Sequence, residues 1–139
     1  DMSADLPEYY FRVRENGAAV FRVDTENRQR RIEMDQIAVI NIKNGEVKPQ
    51  GDRTLSETDI AQIEGWMADR MALLAQRDID DIHRAVDYLN ITTQWVQSKA
   101  NDEQLEGITD DLLLAMHDLR TILVRKKADR LMKAQDAAE

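Results

Sequence analysis

The first fifty residues alternate apolar and polar positions with a period of two. Tyr9, Phe11 and Val13 interleave with Tyr10, Arg12 and Arg14, and Ala19, Phe21 and Val23 interleave with Val20, Arg22 and Asp24. Side chains of a strand point to opposite faces in turn, so this pattern predicts two half-buried strands. Asn16-Gly17 lies between them, and Asn-Gly readily supplies the two positive-φ residues of a type I′ hairpin turn. The triplet Phe11-Arg12-Val13 recurs as Phe21-Arg22-Val23, followed by Glu15-Asn16 and Glu26-Asn27 respectively, an echo that two strand-turn units would produce. Further strands are predicted at Arg30–Met34 and Ala38–Lys43, with a bend or a single helical turn at Asp35-Gln36. Asn44-Gly45 reads as a second tight turn, into Glu46–Lys48. The expectation is an antiparallel β-meander of four or five strands ending near Pro49, with Pro49, Gly51 and Asp52 as a linker.

Beyond Thr54 the period becomes helical. Thr54 and Glu57 fit a capping box, and Ser56 with Asp59 fits the alternative frame. Ile60, Ile63, Met67, Met71 and Leu74 then recur every three or four residues, predicting a first helix over 56–76. Asp78 is placed to cap a second helix, with the seam Ile79, Ile82, Val86, Leu89, Thr93 and Val96, ending near Lys99 or Ala100. Leu105, Ile108, Leu112, Ala115, Leu119 and Ile122 form the seam of a third, in which Gly107 is a potential break and Thr109 a new cap. This last helix, running to about Gln135, should overhang its neighbours. No proline follows Pro49, as a helical second half requires. Short connections such as Gln76-Arg77-Asp78 imply antiparallel neighbours. The predicted class is α+β: a β-meander over 1–53, then an antiparallel three-helix unit over 54–139, folded together as one compact domain.

Charge refines this picture. The chain of 139 residues has a net charge of −8. Residues 54–119 hold 14 acidic against four basic side chains, whereas 120–133 hold six basic residues (Arg120, Arg125, Lys126, Lys127, Arg130, Lys133) against Asp129. The acidic balance argues against general nucleic-acid binding, which depends on Lys and Arg neutralising phosphates, and points instead to a basic partner or simply to solubility. The basic end suits a helix C-terminus and its dipole. There is no cysteine, hence no disulfide, thiolate nucleophile or Cys-ligated zinc. The longest apolar runs, Ile37–Ile40 and Leu112–Met116, fall far short of a bilayer span, and no signal peptide is read at the N-terminus. A cytoplasmic setting is expected.

Candidate chemistry is sparse. His83 shares a helix face with Asp80 and Asp87, a set that can ligate a metal or position a base but that also occurs on ordinary solvated helices. His117 with Asp110 and Asp118 is weaker, because Asp110 is two turns away. There is no Gly-x-Ser-x-Gly, no paired Glu-x-x-His and no phosphate-cradling glycine loop. No metal or cofactor is called for. The arginines of the meander offer more. If Phe11, Val13, Phe21 and Val23 face the core, then Tyr10, Arg12, Arg14 and Arg22 share the opposite face, which Arg31 can join. Such a face can bind phosphate, carboxylate or single-stranded nucleic acid, or can be a solvated face paired with Asp24 and Glu33.

The helices carry more apolar surface than one seam needs. Trp66 and Trp95 flank the first two seams, and Gly65 before Trp66 would permit close helix approach. Tyr88, Ile91 and Trp95 form a stripe beside the second seam, and Leu123 and Val124 lie beyond the third. This surplus favours a non-catalytic interaction or assembly protein acting as a homo-oligomer, with a homodimer as the first expectation, a second protein as an alternative partner, and no membrane contact. The alternatives are an anion-binding or nucleic-acid-binding module using Tyr10, Arg12, Arg14 and Arg22, and an enzyme whose site assembles from scattered residues.

Overall fold

A computed structural model describes residues 6–24 and 31–139. Arg30 and the Glu26-Asn27 half of the sequence echo lie outside the described residues. Four strands come first: β1 (Tyr9–Arg14), β2 (Gly17–Asp24), β3 (Glu33–Asn41) and β4 (Glu46–Pro49). They form one antiparallel sheet in the order β1-β2-β3-β4, the meander that the alternating pattern predicts. The strands expected separately on either side of Asp35-Gln36 are one strand. The irregularity is a bulge, at which the β2 register shifts between Val20 and Phe21.

The first hairpin turns one residue earlier than expected. Arg14 pairs with Gly17, so the turn residues are Glu15 and Asn16, and Gly17 opens β2. Gly17 serves a different need: a Cβ there would meet the Ile40 carbonyl oxygen at 1.8 Å, so only glycine lets β2 approach β3. Gly45, at φ 72°, does occupy the left-handed region in the second turn.

Moving the turn by one residue exchanges the faces of β2, because side chains alternate with period two. Tyr9 lies opposite Arg22, Phe11 opposite Val20 and Val13 opposite Ala18. Arg22 therefore stands on the face of Tyr9 and Phe11, and Phe21 on the face of Tyr10 and Arg12. The expected grouping of Tyr10, Arg12, Arg14 and Arg22 is corrected accordingly: the first three share a face and Arg22 has crossed to the other.

Two helices follow, not three: α1 (Glu57–Ser98) and α2 (Asp102–Ala138). The break at Gln76-Arg77-Asp78 is absent. None of the three is a helix breaker, and Asp78 caps nothing because the backbone N–H groups it would serve stay bonded within the helix. The Gln76 side chain donates to Asp80 across this point at 3.0 Å. Gly107 does not break α2 either, and Thr109 Oγ1 bonds back to the Leu105 carbonyl as a mid-helix threonine does. Asn101 caps α2 in a reciprocal capping box with Gln104.

The chain forms two compact units, one up to Asp81 and one from Ile82 on. In the first, the opening turns of α1 lie on the sheet. Val20, Ile37, Ala38, Ile40 and Ile63 are buried together, with Tyr9, Phe11, Val47, Leu55, Trp66 and Met67 packed around them. Trp66 stacks flat on Phe11, at a centroid distance of 5.2 Å. Its neighbour Gly65 approaches nothing, since a Cβ there would have no atom within 4 Å. In the second unit, Lys99, Ala100 and Asn101 turn the chain, and α2 runs back along the end of α1, so that Val96 shares a groove with Leu105, and Leu89 with Met116.

Candidate functional site

The most tightly built polar cluster joins the sheet to the start of α1. Ser56 and Asp59 form the N-terminal capping box: the Asp59 N–H donates to Ser56 Oγ at 3.1 Å, and the Ser56 N–H donates to Asp59 Oδ2 at 2.9 Å. The expected Thr54–Glu57 frame gives way to this alternative. The fully buried Asp59 carboxylate also accepts from Tyr9 Oη at 2.6 Å and from Arg22 Nε at 3.1 Å, with a second short bond from Arg22 Nη2.

The Arg22 guanidinium holds the Asp59 carboxyl well below the usual carboxylate range, against the cost of burial, with Tyr9 and Ser56 adding further donors. Burial, then the bond to Asp59, pushes the Tyr9 phenol up. Asp59 raises the Arg22 value in turn. Among the described residues, no buried side-chain nitrogen or oxygen lacks a partner. A carboxylate with every lone pair engaged, buried between the first turn of α1 and the sheet, is a latch and has no free valence for a ligand. Nearby, Arg53 grips Asp35 through two bonds of 2.6 and 2.5 Å, tying the linker to β3.

The cationic face that the sequence suggests is thereby reduced. Arg22 is committed to Asp59. Arg12 lies over the Phe21 ring, 4.5 Å from its centroid, and Tyr10 tilts against the same ring at 6.3 Å. Arg14 is exposed beside them. Arg31 is exposed just before β3.

The histidine sets stay dispersed. His83 is exposed, its neighbour Asp80 holds Gln76, and His117 Nδ1 lies 3.5 Å from Asp118 Oδ1 on an exposed surface. Among the described residues, no group of three or more His, Asp and Glu is placed to hold a metal ion.

The helical unit presents two apolar grooves. Tyr88, Ile91 and Trp95, the predicted stripe, line a groove of about 580 Å³ with Ile108, Asp111 and Leu112 of α2. A second groove of about 470 Å³ opens between Leu89, Val96, Leu105, Leu112 and Met116. Both are walled by the two helices and open to solvent. Tyr88 is 70% and Ile91 61% exposed, and Trp95 is half-buried. Leu123 and Val124 are exposed on α2, and every residue from Leu113 to Glu139 is exposed. Periodicity places Val86 and Leu89 in a seam packed as core against the last helix, whereas here they are exposed, because the stretch expected as a separate first helix continues into α1 instead of folding back beside them.

No helix among the described residues is long and apolar enough to cross a membrane. No protein-family model matches the chain, and neither curated proteins nor solved structures yield a match.

Proposed function

We propose that the protein is a non-catalytic assembly module that self-associates through its helical unit. One observation carries this reading: Ile82, Val86, Leu89, Tyr88 and Ile91 of α1, and Leu113, Leu114, Leu119, Leu123, Leu131 and Met132 of α2, stay exposed within one chain. Exposed apolar side chains in this number, where they gather into patches, mark interaction surfaces. A two-fold homodimer is the commonest way to close it. Light scattering at micromolar concentration is expected to report a dimer, and Trp95→Asp is expected to weaken it by placing a charge in the apolar groove. A monomer at high concentration, with an unchanged mass for Trp95→Asp, refutes the reading.

A second reading keeps some support from the sheet. Tyr10, Arg12 and Arg14 remain on one face, able to meet an anion such as phosphate, though without Arg22. A phosphate titration at low ionic strength, comparing the native chain with Arg12→Ala, separates the two readings, because salt would mask a weak electrostatic contact.

A further inference from the structure

The charges of α2 specify how a second copy would sit. The helix runs from Asp102 to Ala138, so its midpoint is Arg120. From 102 to 119 it carries six acidic residues (Asp102, Glu103, Glu106, Asp110, Asp111, Asp118) and no Lys or Arg, whereas from 120 to 138 it carries six basic residues against Asp129 and Asp136. The sign changes between Asp118 and Arg120, at the middle of the helix. The helix dipole favours acid at the start and base at the end, but its influence fades within the first and last turns. It leaves Asp110, Asp111, Asp118, Arg120, Arg125 and Lys126 unexplained.

The apolar stripe has the same symmetry. Leu105, Ile108, Leu112, Met116, Leu119 and Leu123 follow spacings of 3, 4, 4, 3 and 4, and the series continues onto Lys127, Arg130 and Ala134. This 11-residue rhythm averages close to 3.6 per turn, so all nine positions share one nearly straight face. The first half of the stripe is partly covered by α1: Leu105, Ile108 and Leu112 are half-buried, while the second half is bare. The bare half ends in cations, which would meet no carboxylates in an apolar partner and would repel their own kind.

We propose that two copies pair with their α2 helices antiparallel about a two-fold axis near Leu119–Arg120, each inserting its basic half beside the acidic half of the other. Full overlap of the helices requires this centre, and there Lys127 and Arg130 come opposite the stretch 109–113 of the second copy, where Asp111 borders the groove. The stems of Lys126 and Lys127 lie on apolar surface and their ammonium groups reach the carboxylates. Leu123 of one copy approaches the groove between α1 and α2 of the other at Leu89, Leu112 and Met116, and Leu131 comes opposite Ile108 in the groove of Tyr88, Ile91 and Trp95, so each helix pair gains its third helix in trans. This arrangement rests on the assembly reading above and adds its orientation and its charge requirement.

The chain has no cysteine, so single thiols report orientation cleanly. Leu119→Cys, Leu105→Cys and Ala134→Cys are made in the full chain, checked for native helicity by circular dichroism, and treated with a short thiol cross-linker. In the antiparallel dimer, residue 105 lies about 40 Å from its own copy but beside residue 134 of the other chain. Leu119→Cys should link to itself, Leu105→Cys and Ala134→Cys alone should not, and their mixture should. The triple change Lys126→Glu, Lys127→Glu, Arg130→Glu should weaken dimerisation by at least about tenfold at low ionic strength, and less in high salt. Self-linking of Ala134→Cys, a dimer in which no variant links, or indifference to the charge reversal overturns the arrangement while leaving a dimer in place. A monomeric mass for the native chain overturns the assembly reading and this one with it.

Discussion

Ile63 and Ile82 sit on the same helix, have the same side chain and belong to the same three-four rhythm. Ile63 is 1% exposed and Ile82 is 62% exposed. What separates them is what the chain places opposite: a four-stranded sheet covers Ile63, and nothing comparable covers Ile82. Amphipathicity states that a helix has a face to bury and leaves open what will bury it. In the sheet unit the partner is in the same chain, and both the apolar and the polar requirements are met. In the helical unit the apolar requirement is unmet within one chain.

The comparison is broken most severely by attacking the sheet unit. Ile63→Ala removes a fully buried side chain from the cluster of Val20, Ile37, Ala38 and Ile40, and is expected to cost about 4 kcal/mol. Chemical denaturation should show this loss at every protein concentration, since the packing is internal. A cost below about 1 kcal/mol, or one that varies with concentration, would mean that this core is not self-contained.

The latch comes next. Asp59→Ala leaves Tyr9 Oη and the Arg22 guanidinium without their acceptor and removes the half of the capping box in which Asp59 Oδ2 accepts from the Ser56 N–H. Arg22 is half-exposed and can turn to water, which limits the loss to about 3 kcal/mol. The sign of the pH dependence follows from the depressed Asp59 value. Above the unfolded aspartate value, about 3.9, the group is ionised in both states and the latch contributes fully. Below it the unfolded chain takes up the proton first, so stability falls with pH until the folded group also protonates. Urea midpoints of the native chain should therefore be level from pH 7 to about 5 and decline below about 4, while Asp59→Ala should decline less steeply. Equal slopes for the two proteins would remove Asp59 from the acid response.

These two regions were not equally legible in the sequence. The meander was, because alternation and turn residues are local properties. Its register was not: Asn16-Gly17 is a strong turn signal, but Gly17 is required instead by the carbonyl of Ile40, a contact made only once β3 is in place. The error of one residue moved Arg22 from solvent to the latch and Phe21 from the core face to the face of Arg12. Asp59 was visible only as part of an alternative cap, since its partners Tyr9 and Arg22 are 50 and 37 residues away. The false helix start at Asp78 has a similar origin. An aspartate that would cap a helix looks the same in mid-helix, and only a neighbouring breaker distinguishes them. The surplus stripe of Tyr88, Ile91 and Trp95 was legible because it is a periodicity, and the structure gathers it into one groove.

The smallest expected effect is the one that separates the two regions most sharply. Leu89 belongs to the α1 seam and by spacing alone would be core, where truncation costs roughly 2–4 kcal/mol. In the single chain it is 43% exposed and borders an open groove. Leu89→Ala therefore deletes methyl groups already half in water, leaves no closed cavity, and should cost below about 1 kcal/mol in dilute solution. If a second copy covers the groove, the same substitution must cost more as protein concentration rises, because the dimer gains stability by mass action and the variant loses part of it. Denaturation of the native chain and of Leu89→Ala at nanomolar and at high micromolar concentration measures both terms. A difference that grows with concentration places Leu89 in an interface between chains. A constant difference of several kcal/mol would put it in an internal core, and a constant difference near zero would make the exposed seam an uncovered surface in the dimer as well.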